Sequence, residues 1–214
     1  MFLHVYSFLV KYPAMNERRI GIPKAIQQEA PSTPDNLTLP KKLEAIQYRS
    51  GEILSPTAYK ILEFDEAEVV TKALKSVGKN VVLVSGVFDL LHTGHLNLFE
   101  NARSEADILA VATPTDQQIK VNKNSERPVV PLAERMRVLS SIEFVDFVFP
   151  QNSWLMMEVL AKIKPSIYAV WENYEHMVSR LRQAIEHGID LRTVKSDTSH
   201  LSSTKLLHLI NKLC

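Results

Sequence analysis

Residues 81–97 read VVLVSGVFDLLHTGHLN. Five residues, four of them apolar, lead to Gly86, and two histidines, His92 and His95, follow within a few positions. A β-branched run that stops at a glycine predicts a buried strand entering a tight turn, and the helical spacing of 96–103 predicts a helix directly after it. The histidines therefore fall where the first strand hands over to the first helix. In open parallel α/β sheets, ligands collect at the carboxyl ends of the strands, where a helix N-terminus turns free N–H groups and the positive end of its dipole toward an anion. A phosphate is the expected guest.

The rest of the chain bounds what can surround that turn. With 214 residues, 45% hydrophobic and 23% charged, it has the size for one good domain with an appendage and the composition of a globular protein. Lys and Arg number 25 against 24 Asp and Glu, so no global field of the kind that marks nucleic-acid or anionic-membrane binders is present, and local charge must do any phosphate work. The single cysteine, Cys214, excludes an internal disulfide and a cysteine-rich metal site, and fits a reducing cytoplasm. Residues 1–10 are apolar but include His4 and Ser7, lack a basic region ahead of the apolar part and precede no small-residue cleavage site; they read against a secretory signal, and Met15 stands as an alternative start. No apolar run approaches the roughly 20 residues needed to span a bilayer.

Residues 1–55, with the stretch APSTPDNLTLP at 30–40, read as a partly irregular N-terminal extension, and 56–214 as the domain proper. Asp65 and Glu68 mark a helix start, Ala67, Val70, Leu74 and Val77 give it one apolar face, and Gly78 stops it. Strands are predicted at 81–85, 108–112, 145–149, 167–170 and 191–194. Helices are predicted at 95–104, 131–142, 154–163, 176–187 and 203–213, with a polar loop over 113–127. Five short apolar strands alternating with helices make a parallel, doubly wound α/β sheet with right-handed crossovers.

The segment Gly86-Val-Phe-Asp-Leu-Leu-His-Thr-Gly-His95 matches the Gly-x-Phe-Asp-x-x-His-x-Gly-His signature of the cytidylyltransferase-like nucleotidyltransferases. Over residues 53–213 the chain resembles the adenylyltransferase domain of bifunctional heptose enzymes and, slightly less, glycerol-3-phosphate cytidylyltransferase. The resemblance runs through Lys123, Arg127-Pro128-Val129, Glu134-Arg135, Val145-Asp146 and Leu201-Ser-Ser-Thr-Lys205. It implies a Rossmann-like fold and transfer of AMP or CMP from a nucleoside triphosphate to a phosphorylated sugar, polyol or similar small molecule. Pyrophosphate leaves, magnesium (Mg2+) assists as cofactor, and a homodimer is implied. In that chemistry an acceptor phosphate oxygen attacks the α-phosphorus, and charge on the non-bridging oxygens must be held in the transition state without a covalent enzyme intermediate.

On this resemblance His92, His95 and Lys123 carry the catalysis, the histidines donating to the α-phosphate and bridging oxygen and the lysine reaching it from the opposite side; Lys120 competes for the lysine's place. Gly86, Val87, Phe88, Gly94, Lys120, Arg127, Ser202, Ser203 and Thr204 are expected at the nucleotide, the hydroxyls at the start of the last helix suiting the β- and γ-phosphates. Asp89, Arg135, Trp171 and Tyr174 are expected at the acceptor, Asp89 positioning it or helping a metal. Each has a plainer reading: histidines capping a helix, solvated loop lysines, a surface Arg135, a simple N-cap at Ser202, a core tryptophan. A protein-bound zinc would need further ligands, and His176, His187 and His200 show no spacing that supplies them.

The chain departs from the family in two places. Ser199-His200-Leu201 stands where a glycine, often with an arginine, precedes the hydroxyl run, and Val170-Trp171-Glu172-Asn173-Tyr174 replaces a Lys-Gly-x-Asp-Tyr segment, with only the tyrosine kept. Ala112 and Asn124 also stand where glycines are common. Two consequences compete: a pocket rebuilt for another base or acceptor, with Trp171 or Tyr174 stacking on a ring, or a non-catalytic nucleotide-binding regulatory or scaffold relative.

Overall fold

The computed structural model describes residues 57–123, 127–172 and 177–195, with Lys205, Leu206 and Lys212. The chain from Lys60 on forms one compact unit. Its elements are α1 (Phe64–Ser76), β1 (Val81–Ser85), α2 (Thr93–Ser104), β2 (Ile108–Pro114), α3 (Asp116–Asn122), α4 (Leu132–Ser140), β3 (Phe147–Gln151), α5 (Met156–Ile163), β4 (Ile167–Trp171), α6 (Met177–Glu186) and β5 (Asp190–Val194). The five strands are all parallel in the order β3-β2-β1-β4-β5.

This is the doubly wound α/β sheet that the alternation of strands and helices predicts. The chain winds from β1 outward to β2 and β3, then returns to lay β4 on the other side of β1. The crevice between β1 and β4 is thus the topological switch point, where ligands of such sheets bind beyond the strand carboxyl ends. β1 and β2 start level at Val81↔Ile108 and pair to Ser85↔Ala112, beyond which β2 runs two residues further.

Burial explains the layers. β2 is buried at every residue, as a central strand covered on both faces must be. Val82, Val84, Leu109, Val111, Val148 and Ala169 turn to one face and pack with Leu98, Phe99 and Ala102 of α2 and Met136 and Leu139 of α4. The alternate residues face α1 and α5; Phe64 stacks on Phe149 at 6.0 Å. Burying the apolar side chains of such a sheet stabilises it by about 1.5–3 kcal/mol each. Pro150 is tolerated in β3 because β3 is an edge strand, and Ile61 and Leu62 cover part of that edge through the bridge to Val148.

Several predicted boundaries are corrected. The loop expected over 113–127 contains α3: Thr115 caps it by accepting from the Gln118 N–H at 3.4 Å, and Ile119 is its buried anchor, too little apolar signal to show as a period. β2 runs on to Pro114 because β3 supplies partners as far as Pro114↔Gln151. β3 begins at Phe147 rather than 145, since Val145 closes a turn to Ile142 and Asp146 uses its carboxylate on the neighbouring strand. α1 is capped by Glu63 and Glu66 in place of Asp65 and Glu68. α2 opens at Thr93, two residues earlier than expected, with His92 as its cap. α4, α5 and α6 are each shorter than predicted. Of the helix expected at 203–213, Lys205, Leu206 and Lys212 are helical and the remainder lies outside the described residues.

No helix among the described residues is long and apolar enough to cross a membrane.

Candidate active site at the switch point

The turn between β1 and α2 folds an aromatic ring back over a glycine. Phe88 adopts a positive φ of 50°, a region costly for a bulky side chain, and its ring folds back over Gly86. A Cβ at Gly86 would stand 2.7 Å from the Phe88 ring. Gly86 is thus needed for the close approach of that ring, and the ring in turn packs on Phe99 at 5.1 Å and edge-on to His95 at 5.3 Å.

Asp89 lies under the turn with its side chain fully buried. Its carboxylate accepts from Arg127 Nη1 at 2.5 Å and from the backbone N–H groups of Val129 at 3.0 Å and Val130 at 2.8 Å. The Gly-x-Phe-Asp motif and the Arg127-Pro128-Val129 segment, far apart in sequence, are therefore one unit. In this arrangement Asp89 faces the 127–130 loop and orders it.

Arg135 is the largest fully buried side chain among the described residues and is 1% exposed. All of its donors are engaged inside the protein: Nε to the Val130 carbonyl at 3.0 Å, Nη1 to the Val87 carbonyl at 2.9 Å and to Thr113 Oγ1, and Nη2 to the Pro114 carbonyl and Asp116 Oδ1, both at 2.8 Å. A guanidinium has five N–H groups, and here each has a protein partner, which leaves none for a ligand. The surface or acceptor-facing Arg135 that the sequence suggests is replaced by an interior hub tying the β1 turn, the end of β2, α3 and the 127–130 loop together.

The histidines stand above this frame. His92 caps α2, and His95, three positions on, accepts at Nδ1 from the His92 backbone N–H at 3.4 Å. With Nδ1 accepting, the neutral ring carries its proton on Nε2, where it is a donor. The rings lie 4.0 Å apart, and Trp171, the last residue of β4, meets His95 edge-on at 6.5 Å. Burial, helped by the neighbouring His92, pushes the His95 imidazole down to about 4, and burial also lowers His92. His92 Nδ1 is buried without a hydrogen-bond partner. Two neutral imidazoles thus sit at the positive end of a 12-residue helix, whose His95 N–H is already taken by the His92 carbonyl at 2.9 Å. That combination suits an anion.

Other expected residues are more dispersed. Lys123, at the end of α3, is exposed and holds its ammonium over the Trp154 ring at 5.8 Å. Lys120 is exposed on α3. Gly94 is buried in the first turn of α2. The Val87 carbonyl accepts from Thr113 and Arg135. Tyr174, Ser202, Ser203 and Thr204 lie outside the described residues.

Residues that the motif did not announce also shape this end of the sheet: Thr113, Asp116 and Gln151, which accepts at Oε1 from Ser85 Oγ at 2.9 Å. A buried glutamine at a strand end is a signal that could have found the last of these.

Among the described residues no group of three or more His, Cys, Asp or Glu side chains is placed to hold a metal ion. Asp89 gives its carboxylate to Arg127 and two backbone N–H groups, and Asp116 gives its to Arg135 and the Leu132 N–H. These residues do not form a protein cage for magnesium.

The fold is a doubly wound parallel α/β domain with a pair of histidines at its switch point. A family model, cytidylyltransferase-like, matches residues 83–208, and the chain belongs to that family. Among curated proteins it is 31% identical over 154 residues to the bifunctional protein HldE of Desulfatibacillum aliphaticivorans, across 71% of this chain and 32% of that protein. It is 29% identical over 157 residues to the bifunctional protein HldE of Sodalis glossinidius (strain morsitans), across 73% of this chain and 32% of that protein. The chain thus matches about a third of the length of these relatives. The crystal structure of the lipopolysaccharide core biosynthesis protein from Thermoplasma volcanium GSS1 aligns with a TM-score of 0.49 at 23% identity, over 56% of this chain and 98% of that chain.

Proposed function

We propose that this chain is a nucleotidyltransferase that moves AMP or CMP from a nucleoside triphosphate to the phosphate of a sugar, polyol or similar small molecule, with release of pyrophosphate. The observation that carries the reading is His95, held neutral with its donor on Nε2 at the N-terminus of α2 and at the switch point of the sheet. The Nε2–H of the imidazole donates to a phosphate oxygen, and the positive end of the α2 dipole lies where negative charge develops. Family membership and the HldE relatives support the reaction class.

In this reading His92 and His95 touch the α-phosphate and the bridging oxygen, and Lys123 leaves Trp154 to approach the phosphates from the other side. Asp89 and Arg135 hold the loops that form the floor. Magnesium enters as part of the triphosphate substrate. The acceptor's phosphate oxygen forms the new bond to the α-phosphorus as the bond to the bridging oxygen breaks, and the electron pair leaves with pyrophosphate. A homodimer, implied by the family resemblance, is tested by molecular mass in solution.

The test is pyrophosphate release by the purified chain with magnesium, across four nucleoside triphosphates and a panel of sugar, polyol and headgroup phosphates. Turnover with one pair, reduced about 10²–10³-fold in His95→Ala as for loss of one transition-state donor, is the expected result and names base and acceptor. Silence across the panel, with calorimetry detecting no triphosphate binding, overturns the reading. Binding without turnover moves the protein to the non-catalytic regulatory or scaffold class.

A further inference from the structure

His95 is enclosed by rings from two separate parts of the chain. Phe88 stands at 5.3 Å with planes 75° apart and His92 at 4.0 Å with planes 35° apart, both from the same turn as His95 itself. Trp171 comes from across the switch point, at the end of β4, and meets the imidazole at 6.5 Å with planes 63° apart. The indole packs against the core on the α2 side and keeps part of its surface exposed. The hydrogen bond at His95 Nδ1 is long, 3.4 Å, and a bond of that length orients a ring weakly. Packing must therefore supply much of the orientation, and on the β4 side the packing group is Trp171.

We propose that Trp171 is a positioning residue for His95: its indole closes the β4 side of the imidazole, fixes the ring plane and keeps water from it, so that the Nε2 donor stays aimed into the crevice. The proposal rests on the reading of His95 as a phosphate donor, and it assigns Trp171 an action through the histidine instead of contact with the acceptor. Among the described residues the titratable neighbours are few. His92 is on the same turn; Asp89 turns its carboxylate to Arg127 and the 127–130 loop; Glu172, following Trp171, is exposed. Water exclusion by aromatic walls disfavours the charged imidazole, in keeping with the lowered His95 value.

The first readout needs no substrate. Side-chain nitrogen NMR on the full chain follows His95 protonation in wild type, Trp171→Phe and Trp171→Ala. The expected midpoint is near 4 in wild type, stays low with phenylalanine, and rises by about one pH unit or more with alanine as water reaches the ring. His92 serves as the internal reference. Trp171→Leu replaces the alanine variant should that one fail to fold, and is expected to give an intermediate midpoint.

Pyrophosphate release is then measured against pH. The acid limb should move with the NMR midpoint, and kcat should fall about 10-fold in Trp171→Ala with KM for the triphosphate little changed, as for a group acting through another. A His95 midpoint that is identical in wild type and Trp171→Ala overturns the proposal, and so does a fall in turnover with that midpoint unmoved, which would mean direct contact with substrate. A shifted midpoint in a protein that turns over no substrate pair supports the wall around His95 while the transferase reading fails.

Discussion

The two ends of the sheet are built from the same parts and put to different use. At the amino end, Asp146 accepts from the Leu109 N–H at 2.8 Å and pairs with Arg103 at 3.2 Å, while Asp107 accepts from the Asn80 N–H at 2.9 Å. At the carboxyl end, Asp89 and Arg127 form a similar buried pair, and Arg135 joins Asp116. In both places a carboxylate fastens two separate segments of the chain through backbone N–H groups. The amino-end pairs have only a frame to hold. The carboxyl-end pairs carry above them two neutral histidines, one with a buried nitrogen that has no partner. Buried charge therefore marks the frame at both ends, and an unpartnered buried nitrogen does not separate them, since His187 Nε2 and Arg103 Nε lack hydrogen-bond partners as well; what sets the carboxyl end apart is two imidazoles 4.0 Å apart at a helix N-terminus.

The comparison is broken most directly at Arg135. Replacing it by alanine removes a donor from Asp116, which keeps the Leu132 N–H, and from the Val87, Val130 and Pro114 carbonyls, of which Val87 keeps Thr113; each buried acceptor left short costs about 1–3 kcal/mol. Chemical denaturation should show that loss, and Arg135→Lys should recover only a part, because an ammonium cannot span the five bonds of the fork. An Arg135→Ala protein as stable as wild type would mean that the hub carries no weight.

Paired substitutions at the two ends come next. Asp89→Asn and Asp146→Asn each weaken a charged acceptor that serves backbone N–H groups, with an expected loss of about 1.5–3 kcal/mol each. Equal destabilisation with unequal function is the expected pattern: at a temperature where both remain folded, pyrophosphate release falls in Asp89→Asn and is retained in Asp146→Asn. Equal loss of turnover in both would erase the distinction between frame and site.

Gly86→Ala asks the same question on a finer scale. The added methyl meets the Phe88 ring at 2.7 Å, so the ring must move, at the lower end of the roughly 1–3 kcal/mol typical of overpacking. Since that ring abuts His95, the tertiary signals of His95 in NMR should shift even where stability changes little.

How much of this was legible beforehand follows from what each element needs. β1 and the histidine turn were plain, because an apolar run, a glycine and two histidines at fixed spacing are local signals. The strand order's consequence, that Trp171 reaches His95 across the switch point, depends on a crossover and has no local trace. Arg135 was legible as a basic residue on a helix and illegible as a buried one, since its acceptors are main-chain carbonyls, which no side-chain pattern reveals. α3 escaped for a related reason: its cap and one buried isoleucine hold it, without an apolar face. Residues 124–126, 173–176 and most of 196–214 lie outside the described residues, so Tyr174 and the Ser202 to Thr204 run rest on the sequence argument.

The last test is the pH dependence contributed by the histidines. His95 has a folded value near 4 against an ordinary 6.5, so between these limits the unfolded chain binds a proton that the folded chain does not. Stability then rises with pH across that window: the contribution of neutral His95 is fully present above about 6.5 and is lost as pH falls toward 4. His92, lowered by burial, acts in the same direction. Carboxylates titrate nearby, so the measurement is a difference: denaturation midpoints of wild type and His95→Gln at several pH values between 7 and 4. The wild type should lose stability relative to the variant as pH falls. Parallel curves would mean that water reaches His95 freely, and the carboxyl end of the sheet would then differ from the amino end in residue type alone.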